Sequence, residues 1–272
     1  MLEQLLQRIA LKGAASHALH QPDEAAFKAL RSGDGQHSGY PATATNISAL
    51  HSNTTDATAA AKLSSAAWTR AKLAYQYAHA KGTLTQPLAA CFAGYGDAHR
   101  AVAALLWTQR GDMKKGLFSI CSKQDVIAYV QPQERTVLLR KMPDLAKLGK
   151  LHCQRASDRS GELPAASKAF QSTSIDMLLW FYGQTCSAAP DLLSHKLVQQ
   201  ALHLRKLPAV DAKALELRHL TLIQHFSAGA FFFDDLQRSL AAPQTQWLCA
   251  DLASLYLVDA LSPNSLMALQ CD

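Results

Sequence analysis

Residues 85–130 constrain the fold most, because there the sequence changes from an Ala- and Leu-rich helical pattern to short β-type runs. Gly94 and Gly96 interrupt the helical part, and a glycine costs about 1 kcal/mol in a helix interior. We therefore expect a helix to begin after Gly96, with Asp97 in its first turn and Gly111 at its end.

The runs 117–121 and 126–130 are short and apolar, and Val, Ile and Tyr are enriched in the second. Residues 135–140 form a third run after a Pro-Gln-Glu turn, and 151–154 could add an edge strand. Runs without helical spacing, bounded by turn residues, predict a small antiparallel sheet. We expect 117–140 to hold the appreciable β-structure of the chain.

The flanking sequence has helical periodicity, and its prolines stand near predicted helix starts, where proline is tolerated. The fold class predicted is α+β, helix-dominated, with a small central antiparallel sheet packed on the helices 56–82 and 96–111, and a C-terminal helical subdomain. The predicted regions are 1–55, 56–160 and 161–272. Further helices are predicted at 164–183, 190–206, 209–226, 229–240, 244–260 and 263–270.

Residues 1–55 are predicted to hold an amphipathic helix at 2–11, a second at 22–31 and a polar stretch at 32–55. That stretch is interpreted as a linker or a mobile loop. The amphipathic start carries Glu3 and lacks the features of a secretory signal, and no run of eighteen apolar residues predicts a membrane span. We expect a cytoplasmic protein, or one that enters a target cell by a route without a signal peptide.

The net charge of +6 would suit an acidic partner, but the basic residues are spread along the chain. Nucleic-acid binding needs a clustered basic face, so we do not expect it. None of the six cysteines forms a CxxC pair, which argues against structural zinc and favours reduced thiols. We expect no metal and no cofactor.

The sequence around Gly94-Tyr95-Gly96-Asp97, followed by the helix and by a strand opening at Asp125, resembles the papain-like and transglutaminase-like cysteine hydrolase domains of bacterial effector toxins. The resemblance covers about fifty residues. It implies a nucleophile at the helix start and a histidine at the strand start. Those positions hold Gly96 and Asp125, and neither supplies a thiol or an imidazole. The resemblance thus implies a degenerate site, in a pseudoenzyme or an engineered inactive form.

A different cysteine could replace the missing nucleophile. Cys91 would lie near a helix N-terminus if a helix starts at Thr85, and a helix start lowers a thiol pKa. The resemblance implies the order Cys-His-Asp, which Cys91, His152 and Asp158 follow. The alternative, a buried structural Cys91, stays open.

Two further features have a structural and a functional interpretation. Glu216 and His219 have the ExxH spacing of di-iron helices, but a single copy favours a solvated glutamate and a partly buried histidine. The run Phe231, Phe232 and Phe233 is interpreted as core, or as a partner-binding patch if exposed.

Two functions follow as hypotheses. The first is an effector-like protein whose degenerate or atypical cysteine-hydrolase-like domain acts on or binds a protein partner. The alternative is a non-enzymatic helical protein-binding module, such as an adaptor or an immunity-type protein.

Overall fold

The computed structural model describes residues 54–82, 84–123, 125–141, 143, 148–156, 169–240 and 242–267, with the backbone alone for 54–65, 242 and 243. The expectations for 1–53, including both predicted helices and most of the polar stretch, lie outside the described residues. Asp158 lies outside them too.

A five-stranded antiparallel sheet occupies the middle of the chain, which confirms the α+β class. Its strand order is β4-β1-β2-β3-β5. Strands β1, β2 and β3 form a meander, and β4 and β5 pair with its two edges. The predicted strand at 151–154 is confirmed as an edge strand. The strands are β1 (Phe118–Ser122), β2 (Asp125–Gln131), β3 (Thr136–Arg140), β4 (Leu151–Arg155) and β5 (Phe170–Ser174).

Strand β5 was missed by the sequence interpretation, which placed a helix over 164–183. The segment Phe-Gln-Ser-Thr-Ser is polar and pairs with β3 from Thr136↔Ser174 to Arg140↔Phe170. This pairing gives hydrogen-bond partners to the backbone groups at the open edge of β3. The tertiary environment, rather than the local sequence, therefore decides that this segment forms a strand. The helix begins only at Ile175, where the Ser174 hydroxyl accepts a hydrogen bond from the Met177 N–H at 2.9 Å.

Nine α-helices are present in the described part of the chain. They are α1 (Thr54–Ala80), α2 (Gln86–Cys91), α3 (Asp97–Gln109), α4 (Ile175–Thr185), α5 (Ala189–Gln199), α6 (Leu217–Ala228), α7 (Phe233–Ser239), α8 (Ala242–Thr245) and α9 (Leu248–Leu257). The predicted start of α3 directly after Gly96 is confirmed. Gly82 follows α1 with φ +65°, the left-handed conformation that glycine adopts at helix ends.

Two predicted helices are replaced in part by other structure. The 190–206 helix ends at Gln199, because Leu202 pairs with Phe231 and β6 (His203–Leu204) pairs with β7 (Leu261–Ser262). The 209–226 helix is replaced at its start by a 3-10 turn, Ala212–Ala214. The expectation that β-structure is confined to 117–140 is therefore wrong.

The sheet and most of the helices contribute to one large hydrophobic core, within a compact unit that spans 52–272. Helix α3 packs against β4 and α4, whereas the main partners of α1 are α5, α7 and α9 rather than the sheet. The four tryptophans are buried in the core. Gly183 lets α4 approach α9 closely: a Cβ atom there would lie 2.7 Å from the Ser254 Cα atom.

We predict that Gly183→Ala destabilises the protein by about 2 kcal/mol, since overpacking against backbone costs about 1–3 kcal/mol and outweighs the better helix propensity of alanine. Urea denaturation measures the free energy of unfolding. Gly111→Ala is the matched control, because a Cβ atom there meets nothing within 4 Å. Equal stability of Gly183→Ala and the wild type would contradict the close approach.

Candidate functional site

The two positions of the predicted degenerate site begin their elements as expected. Gly96 is the N-cap of α3, with extended backbone at φ −147°, and Asp125 is the first residue of β2. A Cβ atom at Gly96 would meet nothing within 4 Å. Asp125 is exposed and pairs with Arg140, at 3.6 Å between Oδ1 and Nη1. The site thus has neither a thiol nor an imidazole at these positions.

The nearest histidine to Gly96 in the chain, His99, has both ring nitrogens occupied. The Gly96 N–H donates to Nδ1 at 2.9 Å, and Nε2 donates to the Arg140 carbonyl at 3.0 Å. Burial lowers the pKa of His99, opposed by the hydrogen bond to Arg140. An Nδ1 that accepts a backbone N–H has no lone pair for a nucleophile, so His99 caps the helix rather than acting as a base.

Cys91 does not lie at a helix start. It is the last residue of the six-residue helix α2. The prediction that a helix N-terminus lowers the pKa of its thiol is therefore wrong. Burial raises the pKa of the Cys91 thiol, and the Asp211 carboxylate raises it further. Both effects disfavour the thiolate that a nucleophile needs.

The predicted Cys-His-Asp set stays a prediction, with Cys91 at the end of α2 and His152 on a separate element. His152 lies exposed on the edge strand β4, and Asp158 is outside the described residues. Within the described chain, no hydrogen bond connects the side chains of Cys91 and His152. The five cysteines in that part are free thiols.

The three phenylalanines do not form one exposed patch. Phe233 is fully buried and packs edge-on against Trp68, with ring centroids 5.1 Å apart. Phe231 is half-buried and pairs through its backbone with Leu202. Only Phe232 of the three is largely exposed, so the prediction of a joint partner-binding surface is wrong, and the core interpretation holds for Phe233.

A buried polar cluster joins α4, α6 and α9 around the Asp251 carboxylate. His219 Nε2 and Gln184 Nε2 each donate to Oδ1 at 3.0 Å, and Arg218 Nε lies 3.3 Å from Oδ2. Burial alone would raise the pKa of Asp251, but the His219 and Arg218 partners and the hydrogen bonds lower it overall. The carboxylate therefore stays charged and paired in the core.

The buried histidine of this cluster is also fully engaged. The Glu216 N–H donates to His219 Nδ1 at 2.9 Å, the same capping arrangement as at Gly96 and His99. His219 is completely buried and Glu216 is only 15% exposed, so the prediction of a solvated glutamate is wrong. In the described residues no group of three or more His, Cys, Asp or Glu side chains is arranged to hold a metal.

A pocket of about 330 Å³ opens where the end of α3, the β2–β3 turn, the start of α4 and the end of α9 meet. Apolar residues outnumber polar ones in its lining, but polar and apolar atoms make up nearly equal parts of its surface. Its polar lining residues are three cations and one carboxylate: Arg110, Lys114, Arg135 and Asp259.

Two of these polar residues have left-handed backbone conformations, with φ +51° at Arg135 and φ +58° at Asp259. Such conformations cost non-glycine residues of order 1 kcal/mol and are concentrated at functional sites. The Arg135 guanidinium is fixed by the buried Asp176 carboxylate, with 2.8 Å between Nε and Oδ2 and a second contact from Nη2 to Oδ1. The pocket is therefore the best candidate for a functional site.

The sequence interpretation missed this pocket, because its residues come from four separate segments and form no motif. A weak signal was present in Trp-Thr-Gln-Arg-Gly-Asp-Met-Lys-Lys at 107–115, where basic residues follow a helix end. Nothing in the sequence indicates that Arg135 and Asp259 take up conformations that usually favour glycine or asparagine.

Comparisons with protein-family models, with curated proteins and with solved structures found no match to this chain. Among the described helices, none has the length and apolar character needed to cross a bilayer.

We predict that His99 makes stability fall with decreasing pH. Its pKa is lowered in the folded state, so below about 6.5 the unfolded state takes up a proton that the folded state does not. His99→Gln, which keeps an acceptor for the Gly96 N–H, should lose less stability than the wild type between pH 7.5 and 5.5. Urea denaturation at each pH measures this.

The control for this experiment is His152→Gln, which makes the same substitution at an exposed position of β4. If His99→Gln and the wild type lose stability equally as the pH falls, His99 is not the source of the effect.

Proposed function

We propose that this chain is a non-enzymatic binding module that engages a protein partner through the pocket at the end of α3. The observation that carries the proposal is the composition of this pocket. Apolar side chains line it together with Arg110 and Lys114, and two further polar residues, Arg135 and Asp259, are held there in left-handed backbone conformations. Ligand sites in proteins combine apolar surface with fixed polar groups.

The state of Cys91 and of the two buried histidines supports binding over hydrolysis. Catalysis by a cysteine needs a thiolate and an imidazole with a free nitrogen. The pKa of Cys91 is raised, and His99 and His219 each use both ring nitrogens in hydrogen bonds. These histidines stabilise helix starts, so their positions have a structural explanation.

A second candidate is an effector-like protein that binds its partner at the degenerate site. One observation favours it. Gly96 lies at the start of α3 with open space beside it. Arg140 contacts both elements of the site: its carbonyl accepts a hydrogen bond from His99 in α3, and its guanidinium pairs with Asp125 in β2. A partner at this site would contact the N-terminus of α3, whereas the pocket lies at the opposite end of that helix.

A photo-crosslinking experiment separates the two candidates. Benzoylphenylalanine is introduced singly at Lys114 beside the pocket, at Asp97 beside the degenerate site, and at Lys150, an exposed control position. We expect a discrete covalent adduct with one protein, identified by mass spectrometry in the source cells, from position 114 alone. It should persist when Cys91 is replaced by serine, because the thiol has no part in binding.

Each other outcome has a defined meaning. An adduct from position 97 and none from 114 would transfer the function to the degenerate site. Loss of the adduct on Cys91→Ser in a correctly folded protein would contradict a non-enzymatic module. Equal adducts from 114 and 150 would show contact without specificity and would also overturn the proposal.

A further inference from the structure

Arg110 differs from most arginines of the described chain in how it is held. The others that are fixed in place pair with a carboxylate: Arg100, Arg135, Arg140, Arg205, Arg218 and Arg238. Arg110 forms no ion pair within the described residues. Its guanidinium carbon lies 3.3 Å from the centre of the Trp107 ring, and Nη1 donates to the Trp107 carbonyl at 2.8 Å. The guanidinium is therefore held in place without an anion.

These two contacts leave other donors of Arg110 unused. Nε and Nη2 have no hydrogen-bond acceptor within the part of the chain that the structure describes, and the side chain is exposed at the pocket lining. A planar guanidinium with free N–H groups binds a carboxylate through two parallel hydrogen bonds. Because the contacts to Trp107 already restrict its rotation, Arg110 loses less side-chain entropy when an anion binds.

The charges around Arg110 leave the pocket lining with an excess of positive charge. The lining residues Arg135 and Asp259 each lie next to an opposite charge elsewhere in the chain. Lys114 also lines the pocket, is exposed and forms no ion pair among the described residues. A positive excess at a binding surface attracts and orients a negatively charged partner.

We propose that Arg110 anchors the partner protein by binding the carboxylate of an aspartate or glutamate side chain on the partner's surface. An arginine packed on an aromatic ring has the composition of interaction hot spots, where tryptophan and arginine are enriched. Lys114 adds attraction at longer range without a fixed contact, so benzoylphenylalanine at position 114 leaves the anchor in place. This inference rests on the proposed function and names the group by which the partner is recognised.

The test uses three acetylated and amidated peptides, Gly-Leu-X-X-Leu-Gly, in which X is glutamate, glutamine or phosphoserine. NMR titration of the whole chain follows binding, including the Arg110 Nε–H signal, which is assigned by its absence from Arg110→Lys. We expect the glutamate peptide to shift this signal and to bind about tenfold more tightly than the glutamine peptide, because a charged acceptor strengthens the hydrogen bonds. Its affinity should fall with rising NaCl concentration.

Variants separate the planar guanidinium from the positive charge. Arg110→Lys keeps the charge and should reduce the preference for the glutamate over the glutamine peptide about tenfold. A loss of helix stability alone would not change this preference, and urea denaturation measures the stability separately. Lys115→Gln is the matched control, since Lys115 is an exposed cation that does not line the pocket. It should leave the preference unchanged.

Four results would overturn the inference. Equal binding of the glutamate and glutamine peptides would exclude recognition of a carboxylate. An equal loss of preference in Arg110→Lys and Lys115→Gln would show attraction by surface charge without an anchor. Binding of the phosphoserine peptide more than about tenfold tighter than the glutamate peptide would assign Arg110 to a phosphorylated side chain. If no peptide binds while position 114 still crosslinks to a partner, the proposed function stands and the anchor inference fails.

Discussion

The buried Asp251 carboxylate is the constraint on which the helical part of the structure depends. A charge in the core must be paired, and removing one partner of a buried ion pair costs about 3–5 kcal/mol. Here the partners come from different helices: Gln184 from α4, and Arg218 and His219 from α6. The cluster therefore fixes how these two helices lie against α9, and Arg218 in turn lies over the ring of Trp247.

The same fixed arrangement explains the approach of α4 to α9. Gln184 donates to both Asp251 and Ser254, and its neighbour Gly183 removes the side chain that would collide with Ser254. Helix α4 then leads back to Ser174 at the end of β5. One buried polar cluster thus connects the helices to the sheet and places the start of α4 at the wall of the pocket.

Histidine has a repeated structural role in this fold. His99 and His219 each stand three residues after an N-cap, accept its N–H at Nδ1, and donate from Nε2 to a second element. Each links a helix start to a distant strand or helix. Both ring nitrogens of these two histidines are thus engaged in structural hydrogen bonds. By contrast, Arg110 and Lys114 at the pocket form no ion pair with an acidic group among the described residues.

Local rules predicted much of this structure from the sequence. Gly94 and Gly96 placed the start of α3, and the spacing of Val, Ile and Tyr placed β1 to β3, because these signals depend on near neighbours. Strand β5 could not be predicted, since its polar residues form a strand only because they pair with β3. The degenerate site was inferred from two positions and stays a prediction. The pocket could not be inferred from the sequence, because Arg135 and Asp259 come together only in the folded chain.

The most direct measurement of the central claim, that the buried histidines His99 and His219 are structural and not catalytic, is their tautomeric state. Long-range ¹H–¹⁵N NMR spectra at pH 7.5 distinguish a protonated Nε2 from a protonated Nδ1, and His→Gln variants assign the signals. The account predicts that His99 and His219 both carry the proton on Nε2, with Nδ1 accepting the N-cap N–H. A proton on Nδ1 of either ring would leave a nitrogen free for base chemistry and would contradict the account.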